Sequence, residues 1–479
     1  MRPRPLPPAG LRRGRVAETD RAARADDEDE AFARIELSEG LIREVREALD
    51  EKNRVLAAAL AEPLHPADLA DLLEQLDRED RFSLVRTLGP RLDAEALAYL
   101  DEAVRENLVR DMGPAGAGAV LAQLDTDDAI DLIADLDEAE KRAILASLPL
   151  PDRAAIEQGL AFPEYSAGRL MQREVVAVPD YWTVGQTIDY LRTRPDLPDD
   201  FYDVYIVDPG FHVIGSVPVS HVLRAKRGTT VADIDLHKMR RIEASTDQEE
   251  VAFLFRQYGL VSAPVVDEEG RLLGVVTVDD VVDVIQEEAE EDFLKLGGVQ
   301  ESDVFQPPLR TGRQRLPWLA VNLLTAVVAS LVIAQFEGAI AQLVALAVLM
   351  PIVASMGGNA GTQTLTVTVR ALATRQLSTA NAMRMLGKEF VVSLLNGGVF
   401  LVAGVCLALF WFGSPQLALV FGAAMVVNLL AAGLAGMLIP LLIDRLGLDP
   451  AVSSGVFLTT VTDVVGFFAF LGLAVHFLI

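Results

Sequence analysis

The chain has 479 residues, of which 51% are hydrophobic, a mean hydropathy of +0.30 and a formal net charge of −27 at pH 7. Strong hydropathy and strong acidity seldom share one soluble core. Residues 316–479 contain five basic and five acidic residues, so the whole negative excess lies before residue 316. The composition predicts an acidic soluble arm followed by a membrane domain, and it excludes nucleic acid as a partner because the arm repels phosphate.

The N-terminal 30 residues combine a Pro/Arg segment with an acidic run, so we expect a disordered tail over residues 1–30. They lack the apolar stretch of a secretory signal, which indicates that the arm stays in the cytosol. Cys406 is the only cysteine, so a disulfide within the chain is excluded.

Residues 31–165 carry leucine and alanine at spacings of three and four, the helical period. A pattern of leucine, two residues, leucine and aspartate occurs at 73–77 and again at 121–125. These features predict an all-α, helical-array N-terminal domain. Its acids Asp127, Asp128 and Asp131 are most simply interpreted as a solvated face and helix caps.

Short β-branched runs alternate with helical stretches over residues 166–286, and two copies are visible. The copy at Val204–Leu223 aligns with the copy at Ser262–Val282: each has a strand, an Asp-centred turn, a second strand and the start of a helix. The pair resembles tandem CBS (cystathionine beta-synthase type) modules, about 166–228 and 229–286, which implies an α/β regulatory region.

Such CBS pairs often bind adenosine nucleotides such as ATP, and the resemblance places Thr277 and Asp280 at the nucleotide contact. The corresponding part of the first copy, "GSVPVSH", lacks the acid. The sequence therefore leaves nucleotide binding open.

Five apolar stretches follow, each long enough to cross a bilayer core of about 30 Å. They are residues 317–336, 339–371, 386–411, 416–443 and 450–478. Lys and Arg residues precede the first stretch and lie in the second and fourth loops, whereas the first and third loops have none. The positive-inside rule then predicts a multi-pass protein with a cytosolic arm and an external C-terminus.

Two features of the spans are unusual for lipid-facing sequence. Asp463 lies well inside the fifth stretch, where a central carboxylate costs roughly 2.5 to 3.5 kcal/mol, and no mid-span lysine or arginine is available to pair with it. Asn359 and Gln363 in the second stretch are four residues apart and share a helix face with several threonines. This polar stripe indicates a wet pathway. A protonated Asp463 bonded between helices is the structural alternative.

The motif "MGGNAGTQ" at 356–363, Asp463, five spans, a CBS pair and a helical acidic front domain resemble the MgtE family of magnesium channels and transporters, over nearly the whole chain from about Leu41. The resemblance implies a homodimer in the lipid bilayer of the cell (inner) membrane, with a pore on the two-fold axis. It places Asp463 on the magnesium ion together with Asn359. From the chemistry of a hydrated ion we add Thr459 and Thr462 as groups that hold its water shell.

The segment Asp279–Gly298 is predicted to form one helix that ends at the two glycines. Its i,i+4 acids repel each other by about 0.2 to 0.5 kcal/mol per pair, a penalty that a divalent cation removes. In the family this region is a plug helix, here about 287–315, and the resemblance implies a set of magnesium-sensing acids. They are Asp127, Asp131, Asp280, Asp283, Glu288, Glu291 and Asp292. Gly259 replaces an acid of the family pattern, so one sensing site is expected to be weaker or absent; a merely solvated acidic helix is the alternative.

The favoured function is a magnesium-selective uptake channel in which magnesium is both substrate and feedback inhibitor. The alternative is a proton- or sodium-coupled secondary transporter of divalent cations, with Asp463 as a proton relay. A sensor without transport would not need the polar stripe, and scattered histidines and the lack of a Walker loop disfavour an enzyme. Selectivity among magnesium, manganese and cobalt is beyond the sequence, because all accept octahedral oxygen ligands.

Overall fold

The computed structural model describes residues 37–479, except 195–196, 199–200, 235–238, 300–307 and 379. The predicted tail at 1–30 and part of the predicted plug region therefore lie outside the described residues. The chain divides into two compact units. The first comprises the described residues up to 248 together with 260–277, and the second comprises 249–259 together with 278–479.

The first unit begins with short helices, as the spacing of leucine and alanine predicts. They are α1 (Glu39–Asp50), α2 (Arg54–Ala61), α3 (Pro66–Gln75), α4 (Arg78–Leu88), α5 (Glu102–Leu121), α6 (Thr126–Ala134), α7 (Glu138–Leu145) and α8 (Leu150–Leu160). Leu73, Leu76 and Leu121 from the repeated pattern are buried in one continuous core. Asp77 is the N-cap of α4, where its carboxylate accepts hydrogen bonds from two backbone amides.

The α/β part of the first unit contains two three-stranded sheets of identical topology. Its elements are α9 (Ala167–Leu170), β1 (Ala177–Pro179), α10 (Val184–Thr193), β2 (Asp203–Val207), β3 (Val213–Pro218), α11 (Val219–Arg224), β4 (Ile242–Glu243), α12 (Gln248–Tyr258, most of which belongs to the second unit), β5 (Ser262–Val266) and β6 (Leu272–Thr277). In each sheet a parallel pair is followed by an antiparallel hairpin. The registers match, with Gly215 opposite Ile206 and Gly274 opposite Val265, so the predicted duplication is confirmed.

Each hairpin turn is organised by the predicted aspartate. Asp208 accepts hydrogen bonds from the amides of Gly210 and His212, and Asp267 accepts one from Arg271. The amide of His212, followed by its side chain, lowers the pKa of Asp208. The left-handed position is held by Gly270 in the second copy but by Phe211, not Gly210, in the first.

The second unit continues with long helices. They are α13 (Val278–Leu296), α14 (Pro308–Ala334), α15 (Glu337–Gln342), α16 (Ala345–Ala373), α17 (Ala382–Phe412), α18 (Pro415–Arg445) and α19 (Pro450–Phe477). Within α14 and α16–α19, five segments are long and apolar enough to cross a membrane, which confirms the predicted number. The predicted second span is wrong at its start, because α15 is a separate short helix and the long helix begins at Ala345.

Helix α13 ends where the sequence predicts. Leu296 is its last residue, and Gly298 adopts a left-handed conformation with φ +74°. A Cβ atom at Gly298 would lie 1.9 Å from Nε1 of Trp318, so the turn fits closely against α14. Leu296 packs on a buried cluster of α16, α18 and α19 that includes Leu365 and Leu458. The C-terminal end of α13 is therefore anchored to the spans.

Candidate functional site

The polar stripe of α16 lies on its exposed face. Ser355, Asn359, Thr362, Gln363 and Thr366 are all exposed within this chain. The side-chain amide of Asn359 donates to Oγ of Ser355 at 3.4 Å, and the two threonines donate to carbonyls of their own helix. Polar groups inside a span lie against water or other protein rather than lipid. In the described part of the chain these side chains are left uncovered.

The opposite face of α16 is buried and carries the glycines of the motif. A Cβ atom at Gly357 would lie 2.2 Å from Nδ2 of Asn428, and one at Gly361 would lie 2.9 Å from Leu458. A Cβ atom at Gly436 on α18 would lie 2.7 Å from the carbonyl oxygen of Gly361. These three glycines therefore allow α16 to pack closely against α18 and α19.

Asp463 is half-buried on α19, the helix that packs against the buried face of α16. In the described part of the chain no basic side chain pairs with it. Thr459 is exposed and Thr462 is buried, and their hydroxyls donate to carbonyls of their own helix. A hydroxyl that donates still offers lone pairs, so the exposed Thr459 remains available as an acceptor for bound water, whereas Thr462 is 0% exposed and offers no surface to water.

Two polar residues of the spans were not singled out from the sequence. Asn428 on α18 is 1% exposed, and its Nδ2 donates to the carbonyl oxygen of Val353 at 2.8 Å. Glu389 on α17 accepts a hydrogen bond from Thr364 at 3.2 Å. Both could have been found in the sequence: Asn428 is an amide within the apolar run "AMVVNLL", and Glu389 is a carboxylate near the start of the third apolar stretch.

The predicted sensing acids of α13 lie along one helix, and those of its C-terminal end have a cation among them. Nζ of Lys295 lies 2.5 Å from Glu291 and 2.8 Å from Asp449, the residue that caps α19. Burial, and then the charge of Asp449, raise the pKa of Asp292. Loss of solvent, and then the charge of Asp279, raise the pKa of Asp283.

The sensing acids of the first unit lie on α6. Asp127, in the first turn of α6, is 9% exposed, so the interpretation of this acid as part of a solvated face is wrong; the packing around α6 buries it. Asp131 is exposed and pairs with Arg105. Burial, and then the charge of Asp131, raise the pKa of nearby Asp135. The N-terminus of α6 also donates to Glu174, through Oγ1 of Thr126 at 2.7 Å.

Thr277, one of the two predicted nucleotide contacts, is 8% exposed, and its hydroxyl accepts a hydrogen bond from Gln172 at 3.4 Å. Asp280 lies in the first turn of α13. Across the residues described, no three His, Cys, Asp or Glu side chains converge to hold a metal ion. The roles assigned to the pore, sensing and nucleotide residues, and the residue limits of the domains, stay predictions.

Comparisons with known proteins identify the membrane domain and the arm. Residues 350–473 match the family model described as a divalent cation transporter, 64–165 match the MgtE intracellular N domain and 231–287 match the CBS domain. The chain is 38% identical over 327 residues to the magnesium transporter MgtE of Thermus thermophilus, covering 67% of this chain and 72% of that protein. This chain belongs to the MgtE family.

A second MgtE relative, from Enterococcus faecalis, is 34% identical over 328 residues, which cover 67% of this chain and 71% of the relative. Among solved structures, a cytosolic domain of the Mg²⁺ channel MgtE in complex with ATP is 33% identical, with a TM-score of 0.47, and covers 51% of this chain and 99% of that one. The predicted fold class, a helical N domain, a CBS pair and five apolar spans, is confirmed; the plug role of α13 stays a prediction.

Proposed function

We propose that this MgtE-family chain forms a homodimeric, magnesium-selective uptake channel in the cell membrane, closed by internal magnesium. The observation that carries the proposal is the exposed polar face of α16, with Asp463 on the adjacent helix α19. A single chain leaves this face uncovered inside a span. A second copy related by a two-fold axis would cover it and place two copies of Asp463 about one pathway.

The chemistry of the polar face suits magnesium. This ion dehydrates reluctantly and keeps several waters, so a selective site needs few direct charges and many outer-shell acceptors. Two carboxylates, one from each chain, supply the charge. The exposed side chains of Asn359 and Thr459 supply oxygen acceptors for the hydrated ion.

The proposed topology follows from the basic residues at the ends of the helices. Arg370, Arg375 and Arg384 border the loop between α16 and α17, and Leu296 of α13 packs on the buried cluster to which Leu365 and Val369 of α16 belong. The positive-inside rule assigns this loop to the cytosol. The N-terminal domains are then cytosolic and the C-terminus is outside.

The proposed gate uses contacts between cytosolic helices and the spans. Arg375 follows α16, and its guanidinium carbon lies 4.3 Å from the ring centroid of Phe253 on α12, while its Nη1 lies 3.7 Å from Glu250. Helix α13 is anchored through Leu296. A movement of α12 or of α13 would therefore be transmitted to the C-terminal end of α16, the span that carries Asn359.

Internal magnesium would close this gate by binding the sensing acids more tightly in the closed arrangement than in the open one. A shift of the ratio of closed to open channels from about 1:99 to 99:1 needs about 5.5 kcal/mol of difference in binding free energy between the two states. Several weak sites acting together are therefore required.

The test is magnesium flux through the purified full-length protein in liposomes, with internal magnesium varied. We expect a magnesium current that reverses at the magnesium Nernst potential and stops at about 1 mM internal magnesium, the weak end of the range for oxygen-ligand sites. A reversal potential that follows the proton or sodium gradient would instead establish the coupled transporter. Absence of any divalent flux would contradict both.

A further inference from the structure

Asn428 is a buried amide at the junction of three spans. It lies in α18 and is 1% exposed, and its side chain lies close to two glycines. A Cβ atom at Gly357 on α16 would lie 2.2 Å from Nδ2, and one at Gly466 on α19 would lie 2.7 Å from the same atom. Any side chain at position 357 or 466 would therefore collide with the amide, so both positions require glycine.

The amide makes one directed hydrogen bond. Nδ2 donates to the carbonyl oxygen of Val353 on α16 at 2.8 Å, which sets the orientation of the group, because a flipped oxygen would face that carbonyl. Oδ1 is buried, and none of the residues that the structure describes donates a hydrogen bond to it. An unsatisfied buried acceptor costs stability, so an apolar side chain of similar volume should pack here at least as well. Stability alone does not explain the amide.

The helices that the amide joins are those of the proposed pathway. Gly357 lies two residues before Asn359 on α16. On α19, Gly466 lies three residues after Asp463, about one helical turn away and close to the same face of the helix. Asn428 therefore contacts α16 and α19, in each case within one helical turn of the residue that is assigned to the ion. It reaches neither ion-binding side chain itself.

We infer that Asn428 is a positioning residue for cation selection: it locks α16 and α19 in one register so that Asn359 and Asp463 keep a fixed separation. The inference rests on the proposed function. Magnesium with its water shell demands near-ideal octahedral geometry, so a small slip between these helices should change which hydrated ion is accepted.

The central variant is Asn428→Leu, which fills the space but cannot donate to Val353. We expect a folded dimer of wild-type thermal stability or higher. Half-maximal flux should require about tenfold more magnesium, the lower range for residues that orient metal ligands, and the preference for magnesium over calcium should fall. Gly357→Ala should produce the same change, because it displaces the amide without removing it.

Ser393 and Gly433 provide matched controls. Ser393 is 6% exposed, and a Cβ atom at Gly433 would lie 2.0 Å from its Oγ, so this pair resembles Asn428 and Gly357. It joins α17 to α18, which carry neither Asn359 nor Asp463. Ser393→Ala and Gly433→Ala should leave the magnesium dependence and the ion preference of the flux unchanged.

The inference is overturned if Asn428→Leu and Gly357→Ala conduct with wild-type magnesium dependence and ion preference while Asp463→Ala does not conduct. If instead wild-type protein carries no divalent flux, the proposed function has failed. Spin labels at exposed Val367 on α16 and Phe457 on α19 then test the register directly. A distance distribution that Asn428→Leu neither shifts nor broadens overturns the positioning role as well.

Discussion

Nζ of Lys295 lies 2.8 Å from Oδ2 of Asp449, which joins the acidic helix α13 to the residue that caps α19. Burial acts to lower the pKa of Lys295, but its hydrogen bonds to Asp449 and Glu291 outweigh this and raise the pKa. The ammonium is therefore charged at every physiological pH. It occupies two carboxylates that a divalent cation could otherwise bridge.

Replacing Lys295 with Met should free Glu291 and Asp449 for magnesium. We expect internal magnesium to stop the flux at a concentration at least about threefold lower than in wild type, because removing one positive charge from a partly buried acid cluster is worth on the order of 1 kcal/mol. Flux recordings at stepped internal magnesium measure this. Lys141→Met, which breaks an ion pair on α7, is the control; an unchanged or higher closing concentration in Lys295→Met would show that the ammonium does not compete with magnesium.

The substitution Asp463→Ala should reduce magnesium flux by at least about tenfold, equivalent to losing about 1.4 kcal/mol of ion stabilisation. The dimer should remain folded, since removal of a mid-span carboxylate eases insertion. Flux in liposomes and size-exclusion chromatography measure the two effects. Ser330→Ala on α14 is the control, because the Ser330 hydroxyl donates to the carbonyl oxygen of Ala326 on its own helix. Wild-type flux in Asp463→Ala would remove this residue from the pathway.

For Asn359, replacement by Leu should change ion selection more than stability, because leucine has a similar length but no group that contacts a hydrated ion. The ratio of magnesium to calcium flux should fall while the melting temperature changes little. Thr368→Val is the matched control, because Thr368 lies on the buried face of the same helix and bonds Thr364. An unchanged ratio would make the stripe a packing feature.

Neutralising four acids of α13 together should weaken closure by magnesium. The variant carries Asp280→Asn, Asp283→Asn, Glu288→Gln and Asp292→Asn. We expect it to conduct at internal magnesium concentrations that silence wild type, and to lose protection of the arm by magnesium against protease, because several weak sites share the required binding energy.

The control for that experiment removes the same charge from the exposed face of α1. It carries Glu39→Gln, Glu44→Gln, Glu47→Gln and Asp50→Asn. This variant should close at the wild-type magnesium concentration. If the α13 variant also closes there, the acidic helix is only a solvated surface.

The effect of pH follows from the raised pKa values of Asp283 and Asp292. A pKa raised in the folded chain means that the folded state binds protons more tightly than the unfolded state, so these acids favour folding when protonated and oppose it as pH rises through the folded pKa. Protons also compete with magnesium for the same carboxylates. Because these pKa values are raised above the ordinary value of about 3.9 for Asp, protonation begins at a higher pH than in a free Asp, and lowering the pH should increase the magnesium needed for protease protection. A constant requirement would show that these carboxylates do not bind the ion.

Local sequence patterns were sufficient to predict most of the helices and strands of this protein. The five spans follow from apolar length, the paired sheets from two copies of one β-branched pattern, and the end of α13 from Gly297 and Gly298. Each signal depends on residues close together in the chain, because hydropathy and the periods of helix and strand are properties of short windows. The predicted start of the second span was wrong, because the apolar stretch runs on from the short helix α15 into α16 and composition does not show where one helix ends.

The tertiary structure decided which of these elements meet and what each polar residue faces. Gly357 fits against Asn428, and Lys295 pairs with Asp449, across separations that no local period encodes. Burial of Asp127 likewise depends on the packing around α6 rather than on its acidic neighbours. The sequence alone determined that a polar stripe and Asp463 lie within spans; only the packing of α16, α18 and α19 placed a buried amide between them, because contacts between distant residues depend on how helices fit together in space.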